Sequence, residues 1–192
     1  MGPGLDHGVF VPFRIMFGED FTEIPIVQVS IDSSLDSTKN WELGKAVASL
    51  RYENPQQIHW SLRNSVMILR NEGILILSGG LTAHNLGDRS SFSPDTARAV
   101  HKEFDQAIHE AVGINSVGDI ALQENTKANI GPKAEERKQA MFELQKHRGF
   151  RASQPREDHF IPLYVAAGAG EGGEVRTILD LYGLASFAFG VE

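Results

Sequence analysis

The chain of 192 residues contains no cysteine. This excludes disulfides, thiolate metal sites and cysteine nucleophiles, so any transition-metal site has to use histidine and carboxylate side chains. Basic residues are also few, 18 Lys and Arg against 25 Asp and Glu, and the net charge is −7. This balance argues against nucleic acid or an anionic membrane surface as a partner. No apolar run approaches membrane-spanning length and the first residues form no signal core, so we expect a cytoplasmic protein.

The remaining composition is that of an ordinary globular domain. Apolar residues make up 41% of the chain and charged residues 22%. A domain of this size buries roughly 70% of the surface of its unfolded chain and needs no covalent staples. We find no internal repeat and no internal domain boundary, so we expect a single domain.

The stretch Gly73–Leu86 organises the rest of the chain. Its apolar run Ile74–Leu77 is bounded by glycines and predicts a strand buried on both faces of a parallel or mixed sheet. Gly79 and Gly80 end this strand. His84 would then lie just past the carboxyl end of the strand, where open α/β sheets bind ligands, and it is a candidate acid/base. The alternative is a histidine that only caps or packs a loop.

Helices and further strands are predicted on both sides of this stretch. Pro25–Ile31 is rich in β-branched residues and predicts a strand, and Gly183–Val191 predicts a final one. Amphipathic spacing, proline positions and capping residues predict the helices. These run from Thr38 or Asn40 to Leu50, from Ser93 to Val112, and from His159 to Ala167. The fold class that follows is α/β, with a mixed sheet flanked by helices.

The seven histidines differ in their surroundings. His101 and His109 lie among charged residues of one predicted helix, and we expect them at the surface. His7, His84 and His159 instead adjoin Gly, Asp or Asn, and each stands where a loop meets an apolar element. These three are therefore candidates to converge on one site.

Four segments carry a resemblance to a known family. In chain order they read G-L-D-H-G-V-F-V-P-F, I-P-I-V-Q-V-S-I-D-S-S, L-S-G-G-L-T-A-H-N-L and P-R-E-D-H-F-I-P-L-Y-V-A-A-G-A. Their order and spacing resemble the class III extradiol ring-cleavage dioxygenases, in particular the DOPA dioxygenase branch. The resemblance implies the fold of the catalytic B subunit of protocatechuate 4,5-dioxygenase.

The resemblance also implies a chemistry and a set of site residues. The family uses a non-haem ferrous iron, whose site zinc can also occupy, to open a small aromatic diol with O2. His159 matches a metal ligand of the family, and His84 matches its acid/base histidine. His7 matches a histidine that lines the pocket and contacts substrate or oxygen. A neutral imidazole at His84 is suited to taking a proton from the diol and returning it later.

Two departures from the family pattern leave alternatives open. The family's first two metal histidines lie in an N-terminal segment, and this chain begins after both. We therefore expect residues 1–192 to form a partial catalytic domain that lacks the N-terminal strands. It is then an active dioxygenase completed by a homodimer or a partner chain, an inactive remnant that acts as a binding or assembly partner, or an incomplete gene model. Residues 52–70 form an atypical insertion, either a retained intron or a genuine surface loop.

Overall fold

Helices dominate the described part of the chain. The structure is a computed structural model that describes residues 7–19, 25–50, 75–113 and 134–191. The α-helices of these ranges are α1 His7–Phe17, α2 Ser37–Ser49, α3 Ala99–Val112, α4 Ala134–Glu143, α5 Phe150–Ser153 and α6 Ile161–Ala169. Short 3₁₀ turns occupy Arg89–Phe92 and Leu144–Lys146, and the strands are β1 Glu174–Leu179 and β2 Ser186–Val191. No helix in the described ranges is long and apolar enough to cross a bilayer.

Helices α2 and α6 pack backbone against backbone. A Cβ added at Gly44 would lie 2.1 Å from the carbonyl oxygen of Val165, and one added at Gly168 would lie 2.1 Å from that of Trp41. Only glycine permits so close an approach. Trp41 is fully buried beside this crossing, and its indole N–H donates to Glu171 Oε1 at 3.1 Å.

The core lies between these two helices and α3 and α4. Its centre is a chain of aromatic rings in edge-to-face contact: Phe104 with Phe150, Phe150 with Phe160, and Phe160 with Tyr164. The Tyr164 hydroxyl is buried and donates to the carbonyl oxygen of Met141 at 2.9 Å. Each ring is 1% exposed or less, so α6 and the Phe150 region are held rigidly on α3.

The sheet of the described residues is a two-stranded antiparallel hairpin. Val175 of β1 pairs with Phe189 of β2, and Val175 is only 2% exposed. The turn before β2 includes Gly183, whose φ is +73°. The predicted final strand is confirmed as β2. Strand β1 was not predicted, because the E-V-R-T-I-L sequence shows no clear alternation.

Two predicted strands are not strands in the structure. Residues 25–31 and 75–77 are irregular, and no ladder joins either segment to another described strand. The exposed fractions are 76% for Val27, 52% for Val29, 73% for Leu75 and 60% for Leu77. The prediction that Ile74–Leu77 is buried on both faces is therefore wrong for its described residues. An apolar run indicates a preference for burial, but a strand also needs hydrogen-bonded neighbours.

Helix starts are displaced from their predicted positions. Helix α2 is capped by Asp36, whose carboxylate accepts from the Lys39 N–H at 2.8 Å, and not by Thr38 or Asn40. Helix α3 begins at Ala99, since a turn precedes it. Helix α6 begins with Pro162 in its first turn, as predicted. The insertion at 52–70 lies outside the described residues.

Candidate active site

The structure brings together two of the three predicted site histidines. The imidazole rings of His84 and His159 stack with centroids 3.6 Å apart and an interplanar angle of 22°. His84 is half-buried and His159 is exposed. Ligands can therefore reach the pair from solvent. Helix α1 begins at His7, but the side chain of His7 lies outside the described part of the structure. Its role stays a prediction.

The segment that leads to His84 is anchored on the segment that carries His159. The Leu81 N–H donates to the carbonyl oxygen of His159 at 2.9 Å, and the Gln154 amide donates to that of Leu81 at 2.7 Å. The Ser78 hydroxyl donates to the carbonyl oxygen of Pro162 at 2.6 Å. These bonds replace the sheet that the sequence had predicted as the scaffold for His84.

His84 itself is held through its backbone. Its N–H donates to the carbonyl oxygen of Ser153 at 2.8 Å. The side-chain amide of the next residue, Asn85, donates to the carbonyl oxygen of Ala152 at 2.7 Å. The end of α5 therefore fixes where the His84 ring can lie, while the ring itself keeps a solvent-facing side.

Gly80 determines how closely the two segments approach each other. A Cβ at this position would lie 2.5 Å from the carbonyl oxygen of His159 and 3.3 Å from the ring of Pro162. Pro162 lies in the first turn of α6 and His159 directly precedes the helix cap, and the aromatic core holds this helix in place. The glycine is therefore required by packing against the segment that carries His159.

Replacing Gly80 with Ala should destabilise the protein by about 1 to 3 kcal/mol, because the added methyl group overpacks a backbone contact. The matched control is Gly79→Ala, since a Cβ at Gly79 meets nothing within 4 Å. Chemical denaturation of both variants measures the difference. Equal midpoints for the two variants would contradict the packing role of Gly80.

The surroundings of His84 favour its neutral form. Burial lowers the pKa of His84, and the neighbouring charge of His159 lowers it further, while Asp158 acts in the opposite direction. A neutral imidazole at physiological pH has a free nitrogen lone pair, so His84 can accept a proton from a bound substrate.

The described residues alone do not fit a complete metal centre. Among the described side chains, no group of three or more His, Asp or Glu residues is placed to hold a metal ion. Catalytic metals usually have three protein ligands. His159 can offer one exposed imidazole. Asp158 lies next to it in the chain and has a buried oxygen, Oδ1, with no hydrogen-bond partner.

Two histidines of α3 are buried, contrary to the prediction. His101 and His109 were predicted at the surface, but they are 2% and 1% exposed. Their charged sequence neighbours point to other faces of the helix. The spacing of His101, Asp105 and His109, four residues apart each time, could have indicated one shared face that also borders Phe104 and Ile108.

The family model and the individual relatives that match this chain indicate the same family. Residues 2–190 match the family described as catalytic LigB subunit of aromatic ring-opening dioxygenase. The chain is 39% identical, over 189 residues and 98% of its length, to a 4,5-DOPA dioxygenase extradiol-like protein of Schizosaccharomyces pombe. It is 27% identical to the 4,5-DOPA dioxygenases extradiol of Beta vulgaris and Escherichia coli, over 91% of its length in each case. The match covers 50% of each of these three relatives, so the chain spans about half their length. No solved structure matches the chain.

Proposed function

Because the chain belongs to the family of catalytic LigB subunits of aromatic ring-opening dioxygenases, we propose that it opens the ring of a catechol-type diol with O2. The observation that supports the proposal is the His84–His159 pair, with ring centroids 3.6 Å apart and one face open to solvent. The names of the relatives suggest DOPA-like diols as substrates. The ring bond beside the two hydroxyl groups breaks, and both atoms of O2 enter the product, so no further reductant is required.

In this reaction His84 is the acid/base. Its neutral imidazole takes the proton of one diol hydroxyl, which makes the ring more electron-rich and easier to oxidise. The imidazolium then returns the proton as the ring opens. Burial and, next, the charge of His159 disfavour the imidazolium, so the proton is held only transiently. His7 contacts the diol or O2 in this proposal.

The proposed cofactor is ferrous iron, with zinc able to occupy the same site. His159 serves as one ligand through its exposed imidazole, which is a usual ligand for either metal. The described side chains hold no group of three potential ligands, so the ligand set is completed from outside the described residues.

A second candidate function is favoured by the two irregular apolar segments. Val27 and Val29, like Leu75 and Leu77, expose half or more of their surface. In this alternative the chain is inactive by itself and assembles with a partner chain whose strands pair with both segments. The mixed sheet predicted from the sequence would then form across the two chains. Light scattering of the purified full chain distinguishes a homodimer from a monomer that awaits a different partner.

Metal binding and ring opening test the first candidate together. We expect the full chain to bind ferrous iron and zinc stoichiometrically under anaerobic conditions, and His159→Ala to abolish binding. The matched control is His147→Ala, because the His147 ring accepts the N–H of the nearby Gly149 and packs on Phe104. Addition of a diol and O2 should then give a coloured semialdehyde. Metal binding no stronger in the native chain than in His159→Ala, with no coloured product, would contradict the proposal and favour the assembly role.

A further inference from the structure

One face of helix α3 buries three titratable side chains. His101 is 2% exposed, Asp105 is 8% exposed and His109 is 1% exposed. They are spaced four residues apart, and the same helix buries Phe104 and Ile108 in the apolar core. Burying ionisable groups is unfavourable unless each finds a partner. The partners of this face therefore indicate what it does.

A first series of hydrogen bonds leads from His101 to the backbone of His84. His101 Nδ1 lies 3.1 Å from the Ser153 hydroxyl oxygen, a contact between two buried side chains. The carbonyl oxygen of the same serine accepts the His84 N–H at 2.8 Å. His101 is thus connected to the backbone of His84 through Ser153.

A second series of hydrogen bonds leads from Asp105 to the backbone of Ala83, the residue before His84. Asp105 Oδ1 accepts the N–H of Gly183 at 3.2 Å, and the carbonyl oxygen of Gly183 accepts the N–H of Ala83 at 3.0 Å. Helix α3 therefore holds the backbone of two consecutive residues, Ala83 and His84, from two sides. This arrangement restrains the direction in which the His84 ring leaves the backbone.

The other ring nitrogen of His101 is held by a charged pair. Its Nε2 lies 3.2 Å from Asp88 Oδ2, and a guanidinium nitrogen of Arg98 lies 2.7 Å from the same oxygen. Hydrogen bonds from Ser90 and His101 lower the pKa of Asp88 to about 2. The carboxylate is thus ionised at neutral pH and keeps the ring of His101 in a fixed orientation.

Ser153, His101 and Asp88 are the residue types of a hydrolytic triad, but they cannot act as one. Ser153 is 3% exposed. The cavity beside Ser153 and His101 measures about 10 Å³, which is room for about one water molecule and no substrate. The buried contact must therefore serve the structure around it.

We propose that His101 is a positioning residue for His84, acting through its hydrogen bond to Ser153. The inference rests on the proposed function, because the position of His84 matters for proton transfer from the diol. His101 touches no reacting atom.

Two conservative variants separate the two hydrogen bonds of His101. The amide group of Asn reaches about as far as Nδ1, so His101→Asn should keep the contact with Ser153. The amide group of Gln reaches about as far as Nε2, so His101→Gln should keep the contact with Asp88 and lose the contact with Ser153. We expect the His84 amide hydrogen to exchange about tenfold faster in His101→Gln, and at the native rate in His101→Asn. Ser153→Ala removes the same bond from the other side and should behave like His101→Gln.

Amide exchange and turnover are measured on the full chain, with Gln106→Ala as the control. Gln106 is exposed on the same helix, and its side-chain amide donates to Glu110 Oε1. The amide of Ala167 in α6 reports global opening and should keep its native exchange rate in every variant. Turnover of the diol should fall about tenfold in His101→Gln with KM within about twofold. The inference would be overturned if the His84 amide of His101→Gln exchanged at the native rate. It would also be overturned if exchange became equally faster at His84 and Ala167 in both His101 variants. Absence of ring opening in the native chain would overturn the proposed function instead, while the exchange rates would still decide the role of His101.

Discussion

Replacing His84 with Gln should lower the rate of ring opening by about 10²- to 10⁴-fold, which is the usual contribution of a general acid/base. Glutamine keeps the polarity and nearly the size of the imidazole, but it cannot take up a proton. The backbone bond to Ser153 is unaffected by the change. The loss should therefore appear in kcat, followed by O2 uptake at saturating diol, with an unchanged melting temperature.

The pH dependence of ring opening by the native chain should also report the protonation of His84. The pKa of His84 is lowered from the ordinary histidine value of 6.5, mainly by burial and next by the charge of His159. The active neutral form therefore persists to a lower pH than for an exposed histidine. We expect the acid limb of kcat/KM to lie below pH 6.5 and to disappear in His84→Gln.

The control for His84→Gln is His147→Gln, which changes a histidine outside the site. It should retain the native rate and the native acid limb. A His84→Gln variant that stays within a few-fold of the native rate, or that keeps the acid limb, would show that another group moves the proton.

Replacing Gly168 with Ala should destabilise the protein by about 3 kcal/mol, at the upper end of what overpacking usually costs. In an exposed helix the same change would stabilise by about 1 kcal/mol, because alanine has the higher helix propensity. Here the new Cβ would lie 2.1 Å from the carbonyl oxygen of Trp41 and 2.9 Å from its carbonyl carbon. Backbone atoms cannot rotate away as a side chain can, so α2 and α6 would have to separate.

The effect of Gly168→Ala is measured by chemical denaturation. Near-ultraviolet circular dichroism, to which the buried Trp41 contributes, reports on the helix crossing. Gly172→Ala is the control, because a Cβ at Gly172 meets nothing within 4 Å. We expect that variant to change stability by less than about 0.5 kcal/mol. If Gly168→Ala were as stable as Gly172→Ala, the close crossing of α2 and α6 would be disproved.

Local sequence signals suffice to predict some of the elements. Helix α6 was predicted because proline suits a first helical turn and glycine suits an exit, and both preferences act within a few residues. Strand β2 was predicted from its alternation of small and aromatic residues. The segments at 25–31 and 75–77 carry equally strong local signals, but pairing with other strands decides whether they become strands.

Local sequence context also identified some histidines correctly and misplaced others. His84 and His159 were singled out because each sits in a distinctive loop context, and the structure stacks their rings. His101 was judged by its charged neighbours in sequence, although its helical position places it at the centre of a buried face. Helical period, rather than adjacency, decides burial.

Short-range features of the sequence were enough to identify the family, to predict the helices with clear end signals and to single out His84 and His159 as site candidates. Those features depend on motifs and on backbone preferences of residues close together in the chain. Long-range packing was needed to show that Ser153 bonds to the His84 backbone and that Gly80 lets the His159 segment approach. It also showed that α3 buries His101. These contacts join residues far apart in sequence, and their existence depends on how whole elements pack, which no local pattern records.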